Sequence, residues 1–358
     1  MKKKCVLLLL TACMLTLSAC AKKSNAAEIC NCTCEGCADC VYKAGTEEAS
    51  DIFAKESDQE TEIQTVENTE VAETSMAVDE NIPLSELTEG EKEARRQQQS
   101  NLVAAREQVY AMTDSLEKTQ KINELDKQIL ANNVYDFSTL SIQFFGDSIT
   151  EGICGKVDED GNYISYVNYA NEYLQFGNCM NNGKAGRMFA DFGGQELSFS
   201  LNMGSMYNNS ANVSIIFLGV NDYLTSNDAK RYGDMYATES TAGYIGSVRY
   251  AIKQLKASYP NQDIFFVTMY DVAKESYSTY TDVAGNPTLS EYMEVLRKLV
   301  AESGYHLIEL NSSGFMDCTD LATSNAYTED GLHPNDSGNR ILGEHIAAEI
   351  SVYYSQKQ

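Results

Sequence analysis

The chain has 358 residues, enough for two average domains or for one larger domain with appended segments. Lysine and arginine total 27 against 52 aspartates and glutamates, which gives a formal net charge of −25 and argues against binding to nucleic acid or to anionic lipid headgroups by charge. Hydrophobic residues make up 43% of the sequence, so the chain can bury a sizeable core.

The N-terminus has the pattern of a secretory signal: three lysines, an apolar run too short to span a membrane, and then small residues. Its last residues, Leu17-Ser18-Ala19-Cys20, resemble a bacterial lipobox, in which the cysteine is acylated and becomes the mature N-terminus. We therefore expect residues 1–19 to be a lipoprotein signal peptide. Acylated Cys20 would then hold the protein to the extracytoplasmic face of the cell membrane. An ordinary signal peptide with a nearby cysteine is the alternative.

Residues 20–43 are rich in cysteine, and residues 44–87 are rich in acidic and small polar residues. The clustered cysteines are Cys30, Cys32, Cys34, Cys37 and Cys40. Their two-residue gaps suit a zinc ion, but no histidine lies near them, and disulfides are the more ordinary outcome outside the cell. The acidic stretch cannot bury enough apolar area to offset its ordering entropy, so we predict a disordered tether.

From Thr88 onward the sequence changes to a helical pattern. Thr88 and Glu91 stand three residues apart, as in a capping box at a helix start. Apolar residues then recur at steps of three and four, at Leu102, Ala105, Val109, Met112 and Leu116 and, after a phase slip, at Ile122, Leu125 and Ile129. We predict an amphipathic helix or helix pair over residues 88–133, which either packs on the following domain or self-associates.

After residue 135, short apolar runs alternate with helical patterns. The runs lie at 140–145, 178–181, 213–218, 263–269 and 306–310, and the helical patterns at 166–174, 244–255, 289–300 and 339–354. Continuously apolar strands between helices are typical of a parallel sheet covered on both faces. We predict a doubly wound, three-layer α/β domain over residues 136–356.

Polar residues follow these strands, at the edge of the sheet where such folds place their functional groups. Ser148 follows the first strand in "GDSIT", Gly183 the second in "NNGKAG", and Asn221 the third in "GVND". Asp330 and His333 follow the last strand in "EDGLHPN". Each has an ordinary structural interpretation, such as a helix cap for Ser148. Together they supply the hydroxyl, amides, imidazole and carboxylate of a hydrolytic site.

In this order, the four blocks resemble those of the SGNH (GDSL) hydrolase superfamily of esterases and lipases, over residues ~140–340. The resemblance implies a flavodoxin-like fold and a serine hydrolase that forms an acyl-enzyme, with no metal or organic cofactor. It implies Ser148 as nucleophile, His333 as general base and Asp330 as the residue that orients the imidazole. The oxyanion hole would consist of the backbone amides of Ser148 and Gly183 and the side-chain amide of Asn221.

The function implied is that of a membrane-anchored, extracytoplasmic esterase that cleaves carboxylic esters. A long tether on a lipid anchor suits reaching external glycans, so O-acetyl groups on carbohydrate are the favoured substrate. A lipase or lysophospholipase-type acyl hydrolase is one alternative. A non-catalytic glycan-binding lipoprotein is another, but such a module has no need for Asp330 and His333 together.

Other titratable residues are expected to have structural roles. We predict that Asp147 orders the turn before Ser148, and that His306 and His345 are packing or surface residues. Cys154, Cys179 and Cys318 are expected to be buried thiols, with a disulfide between Cys154 and Cys179 as the alternative.

Overall fold

The computed structural model describes residues 83–357, except residues 193, 226–228, 235–238 and 274–285. The predicted signal peptide, Cys20, the cysteine cluster and nearly all of the predicted acidic tether lie outside these residues. The described residues belong to one compact unit. None of the helices in this part of the chain is long and apolar enough to cross a bilayer.

A pair of helices precedes the sheet. After a short 3-10 turn at Leu84–Glu86, helix α1 spans Glu89–Tyr110 and helix α2 spans Leu116–Ala131. Thr88 begins α1 with the predicted capping box, and Ser115 accepts a hydrogen bond from the N–H of Lys118 at the start of α2. The amphipathic segment is therefore a helix pair, and it packs against the last helix of the chain.

The domain that follows is built on a five-stranded parallel sheet in the order β4-β1-β5-β6-β7. Its strands are β1 Ser141–Gly146, β4 Asn178–Gly183, β5 Val213–Phe217, β6 Asp263–Val267 and β7 His306–Ile308. Two further strands, β2 Lys156–Val157 and β3 Tyr163–Ile164, form a separate antiparallel hairpin. Every apolar run predicted as a strand lies in the parallel sheet, and the doubly wound fold is confirmed. Strand order reverses at β1, so its carboxyl end is the switch point of the fold.

Helices cover both faces of the sheet. The longer ones are α4 Tyr166–Leu174, α8 Tyr244–Ser258, α9 Leu289–Ser303 and α11 Asp336–Gln356, and the shorter ones are α3 Ser148–Glu151, α5 Phe199–Met206, α6 Val220–Thr225, α7 Ala229–Tyr232 and α10 Leu321–Tyr327. A second 3-10 turn lies at Gln195–Leu197. The four longer helices are those that the periodicity predicts, whereas α5, α10 and the β2–β3 hairpin were not predicted.

Adjacent residues of β1 bury their side chains on opposite faces of the sheet, because side chains alternate along a strand. Phe144 contacts Tyr166 of α4 on one face, with ring centroids 5.9 Å apart. Phe145 contacts Phe199 of α5 on the other face, at 5.5 Å. Both phenylalanines are fully buried. The strand that carries Ser148 at its end is thus fixed in a dry, two-sided core.

A buried ionic network fastens the helix pair to α11. Arg106 of α1 pairs with Asp126 of α2 and with Glu349 of α11. The other oxygen of Asp126 lies 2.7 Å from Nδ1 of His345, whose ring stacks on Phe315. Burial alone would raise the pKa of Asp126, but His345 and Arg106 outweigh it and hold that pKa below its ordinary value.

His306 and His345 therefore differ in their surroundings. His306 is half-buried and packs beside Phe265 and Tyr353, as expected. His345 was predicted as a packing or surface residue, and that description misses its main contact. It is fully buried and joined to a carboxylate across the junction of three helices.

Candidate active site

Ser148 lies where β1 ends and a single helical turn begins. Asp147 Oδ1 accepts a hydrogen bond from the N–H of Ile149 at 3.0 Å, so Asp147 orders this turn as predicted. Gly152 ends the turn in the left-handed region, with φ of 93°. Ser148 is 8% exposed. The local structure presents its hydroxyl at the switch point of the sheet.

His333 and Asp330 lie next to Ser148 although they are far from it in sequence. Ser148 Oγ is 2.9 Å from Nε2 of His333, and Nδ1 of His333 is 2.8 Å from Oδ2 of Asp330. The second oxygen of Asp330 accepts the N–H groups of His333 and Leu332, at 2.7 and 3.0 Å. These distances join hydroxyl, imidazole and carboxylate in one chain of hydrogen bonds, the arrangement needed for base-assisted attack by a serine.

The electrostatics of Asp330 suit an ionised partner for the imidazole. Burial favours the neutral acid, but the hydrogen bond and charge of His333 and the backbone N–H groups together hold the pKa of Asp330 below its ordinary value. An ionised carboxylate only accepts hydrogen bonds. It therefore stabilises the positive charge that the imidazole gains when it takes a proton.

The backbone N–H of Gly183 is engaged within its own loop, where it donates to Asn181 Oδ1 at 2.8 Å. The absence of a side chain at this position has a separate steric reason, because a Cβ there would lie 2.2 Å from the backbone nitrogen of Glu151. Gly186, three residues on, has φ of 78°. Its N–H makes no hydrogen bond to any described residue. Gly186, the second glycine of "NNGKAG", is therefore another candidate hydrogen-bond donor in this segment, and the sequence analysis did not single it out.

Asn221 lies in the first turn of α6, beyond the end of β5. Its Nδ2 donates one hydrogen bond to the carbonyl of Arg187 at 3.0 Å, which leaves a second N–H for another acceptor. Its neighbour Asp222 is fully buried and accepts the N–H groups of Phe189 and Ala190, at 2.9 and 3.0 Å. Burial raises the pKa of Asp222 to about 7. We call residues 181–186 the glycine loop. The two hydrogen bonds of Asp222 tie α6 to the segment that follows this loop.

The sequence profile of the GDSL-like Lipase/Acylhydrolase family matches residues 144–341, the stretch that contains all of these groups. The chain belongs to the GDSL-like lipase/acylhydrolase family. It is accordingly an ester-hydrolysing serine hydrolase.

Solved structures share the fold of this GDSL-like hydrolase. A protein from Lactobacillus plantarum is 18% identical, with a TM-score of 0.50, and the match covers 59% of this chain and 97% of that one. The acetylxylan esterase Axe2 from Geobacillus stearothermophilus is 17% identical, with a TM-score of 0.43 and coverage of 60% and 96%. A possible lipase from Chitinophaga pinensis is 19% identical, with a TM-score of 0.42 and coverage of 59% and 97%. No curated protein sequence matches the chain.

The GDSL-like hydrolase also has a buried cation at the end of β1, Arg187, which the sequence analysis did not single out. Arg187 is 6% exposed, and its Nη1 donates to the carbonyl of Gly146 at 3.4 Å and to that of Asn182. Burial lowers the pKa of Arg187, while the charges of Asp147 and Glu151 act in the opposite direction. The sequence offered one clue, a basic residue directly after the glycine loop of an acidic chain.

Cys154 lies at the rim of the site. Its sulfur, a carboxylate oxygen of Asp330 and a ring nitrogen of His333 lie within 4.8 Å of one another. The prediction of a buried thiol is wrong, because Cys154 is disulfide-bonded. Its partner is not Cys179, which has a free thiol, as does Cys318. The disulfide takes the sulfur and the catalytic hydrogen bonds take the other two groups, so we assign no metal to this trio.

Proposed function

We propose that this GDSL-like acylhydrolase cleaves carboxylic esters with Ser148 as nucleophile, His333 as general base and Asp330 as the orienting carboxylate. The observation that carries the proposal is the continuous chain of hydrogen bonds, 2.9 and 2.8 Å long, from hydroxyl through imidazole to carboxylate. A serine hydroxyl is a weak nucleophile until an adjacent base removes its proton. The position of His333 is what that step requires.

In the first half-reaction the Ser148 oxygen forms a bond to the ester carbonyl carbon, and His333 takes the hydroxyl proton. The tetrahedral intermediate then collapses, the bond to the leaving alcohol breaks, and His333 gives that alcohol its proton. In the second half-reaction water attacks the acyl-enzyme, again with His333 as base, and the carboxylic acid is released. Serine is regenerated, and no redox step is involved.

The tetrahedral intermediate carries a negative oxygen, for which we propose three donors. They are the backbone N–H of Ser148, the second Nδ2 hydrogen of Asn221 and an N–H of the glycine loop. The predicted donor of that loop, Gly183, must exchange its bond to Asn181 Oδ1 for one to the oxyanion. The N–H of Gly186 needs no such exchange.

We propose O-acetyl groups on neutral carbohydrate as the substrate. A cavity of about 410 Å³ adjoins Asp330, and its lining offers hydroxyl, amide and carboxyl groups but not Ser148 or His333, so it gives a polar surface beside the site rather than a pocket around the reacting ester. The residues that carry these groups include Thr319, Ser324, Asn325, Thr328 and Glu329. The net charge of −25 favours a neutral substrate over a polyanion.

We also propose that acylated Cys20 anchors the enzyme to the extracytoplasmic face of the cell membrane. The support is the signal-like sequence of residues 1–19 and its lipobox-like end. Metabolic labelling with an alkyne-tagged fatty acid should mark the wild-type protein and not Cys20→Ser. Labelling of Cys20→Ser at the wild-type level would contradict the proposal.

The catalytic assignment is tested with p-nitrophenyl esters of increasing chain length and with acetylated oligosaccharides. Wild type should release acetate quickly, and Ser148→Ala should lose turnover and keep the wild-type unfolding temperature. Ser205→Ala, at an exposed serine, is the matched control and should retain full activity. Faster release of long acyl chains than of acetate would favour the lipase alternative. Glycan binding without hydrolysis would favour the binding lipoprotein.

A further inference from the structure

One buried residue, Arg187, contacts three of the segments that carry the proposed catalytic groups, two through its guanidinium and one through its backbone carbonyl. The guanidinium of Arg187 bonds the carbonyl of Gly146, at the end of the strand that leads to Ser148. It also bonds the carbonyl of Asn182, in the residue before Gly183. The carbonyl of Arg187 itself accepts the side-chain amide of Asn221.

Fixing a carbonyl also fixes the N–H of the same peptide unit, because the peptide bond is planar and trans. The carbonyl of Asn182 and the N–H of Gly183 belong to one such unit and point in opposite directions. By holding that carbonyl, the guanidinium fixes the last peptide of β4, from which the chain continues to Gly186, the candidate donor whose N–H makes no hydrogen bond to a described residue. Gly146 and Gly183 are partners in the register of β1 and β4, so the same group bridges two adjacent strand ends.

The partners of this arginine differ from those of the structural arginine in the helix pair. Arg106 is equally buried but is paired with two carboxylates. The described hydrogen bonds of Arg187 go instead to carbonyl oxygens. A buried guanidinium whose hydrogen bonds go to neutral oxygens adds positive potential to a region of low dielectric, of which the nearby Asp147 and Glu151 offset a part. That potential favours the negative charge that develops in the transition state.

Among the described residues, the charged groups near the guanidinium are Asp147 and Glu151. Asp147 is fully buried. Glu151 accepts the N–H of Ala185 at 2.6 Å, so one of its oxygens is engaged with the loop backbone. The positive charge of Arg187 therefore lies between the turn of the nucleophile and the glycine loop.

We propose that Arg187 is a positioning residue for ester hydrolysis, whose guanidinium holds the ends of β1 and β4 together and adds positive potential near the oxyanion. The inference rests on the function proposed above. It assigns no contact between Arg187 and substrate.

The test uses the full-length mature protein, p-nitrophenyl acetate and three variants. Arg187→Ala should lower kcat about 10²-fold with KM within about twofold, because the lost stabilisation belongs to the transition state. Millimolar guanidinium chloride should restore part of that kcat by entering the space left by the side chain. Arg340→Ala, at a half-exposed arginine of α11, should keep wild-type kcat and show no restoration.

Arg187→Lys keeps charge and bulk and guards against simple misfolding of the alanine variant. It should retain the wild-type unfolding temperature with a reduced kcat, since an ammonium lacks the planar fork that reaches two carbonyl oxygens at once. Wild-type kcat in either variant would overturn the proposal. The proposal would also be overturned if the loss of kcat matched the loss of folded protein and guanidinium did not restore it. A wild type without esterase activity would instead overturn the proposed function, and this inference with it.

Discussion

The imidazole of His333 makes a hydrogen bond through each ring nitrogen, and this determines which nitrogen carries the proton. Asp330 is held ionised and accepts hydrogen bonds only, so Nδ1 of His333 is the donor in that contact. Nε2 is then left with the lone pair that Ser148 needs. A residue-scale feature, the lowered pKa of Asp330, thus agrees with the proton transfer from Ser148 to Nε2 of His333 that we propose.

Asp147 has the opposite electrostatic situation to Asp330, although the two lie in the same site. Burial raises the pKa of Asp147 to about 6, against an ordinary value of 3.8. The folded protein therefore binds more protons here than the unfolded chain between these two pH values. Stability from this group is highest in acid and falls as the pH rises from about 4 to about 6.

We predict that Asp147→Asn becomes more stable than wild type as the pH rises through this window. Asn keeps the oxygen that caps the turn and removes the ionisable group. The difference in unfolding free energy should be small near pH 4 and reach the order of 3 kcal/mol above pH 6. Urea unfolding at several pH values measures it. A difference that is constant with pH would contradict the assignment, and Asp160→Asn, at an exposed carboxyl, is the control.

At the scale of secondary-structure elements, the helix pair α1–α2 contributes hydrogen bonds to the packing of the domain. Asn123 of α2 donates to the buried Glu344 of α11, and Gln99 of α1 donates to Ser351 of α11. Polar contacts of this kind are satisfied only while the helices stay docked. A catalytic fragment that begins at residue 132 would leave these groups of α11 without their partners.

We predict that Arg106→Ala lowers the free energy of unfolding by about 3–5 kcal/mol, because it strands the buried carboxylate of Asp126 and removes the partner of the partly exposed Glu349. Lys121→Ala, on the exposed face of α2, breaks the surface ion pair with Glu117 and should change stability little. Urea unfolding of both variants makes the comparison. Equal effects would mean that the network does not fasten the helix pair.

At the scale of the whole molecule, the net charge of −25 should control which esters reach the site. A neutral ester is not steered by this field, whereas an anionic ester is repelled. The repulsion weakens as salt shortens the screening length from about 30 Å near 0.01 M to about 8 Å near 0.15 M.

We therefore predict that kcat/KM for p-nitrophenyl succinate, which carries a free carboxylate, rises over this salt range. The value for p-nitrophenyl acetate should change little. Steady-state kinetics on the same enzyme preparation measures both. A parallel response of the two esters would show that the charge does not select the substrate.

The strands of the parallel sheet, the four longer helices of the α/β domain and the polar residues after each of these strands could be predicted from the sequence alone, whereas α5, α10 and the β2–β3 hairpin could not. Those features are local: periodicity marks a strand or a helix, and a short polar motif marks the loop after it. The distance between Ser148 and His333 was inferred only through the rule that parallel strands end at one edge. Their separation of 185 positions leaves no local trace of a 2.9 Å contact.

The hydrogen bonds that the polar groups of these loops form, and the donors that they leave unused, became visible in the folded chain and not in the sequence. The tertiary structure placed the N–H of Gly183 on Asn181, the guanidinium of Arg187 between two strand ends, and His345 against a carboxylate of the helix pair. Each of these contacts depends on how the chain packs around the group. Side-chain type and spacing in the sequence do not specify that packing, because the same residues are equally common on solvated loops and helix faces.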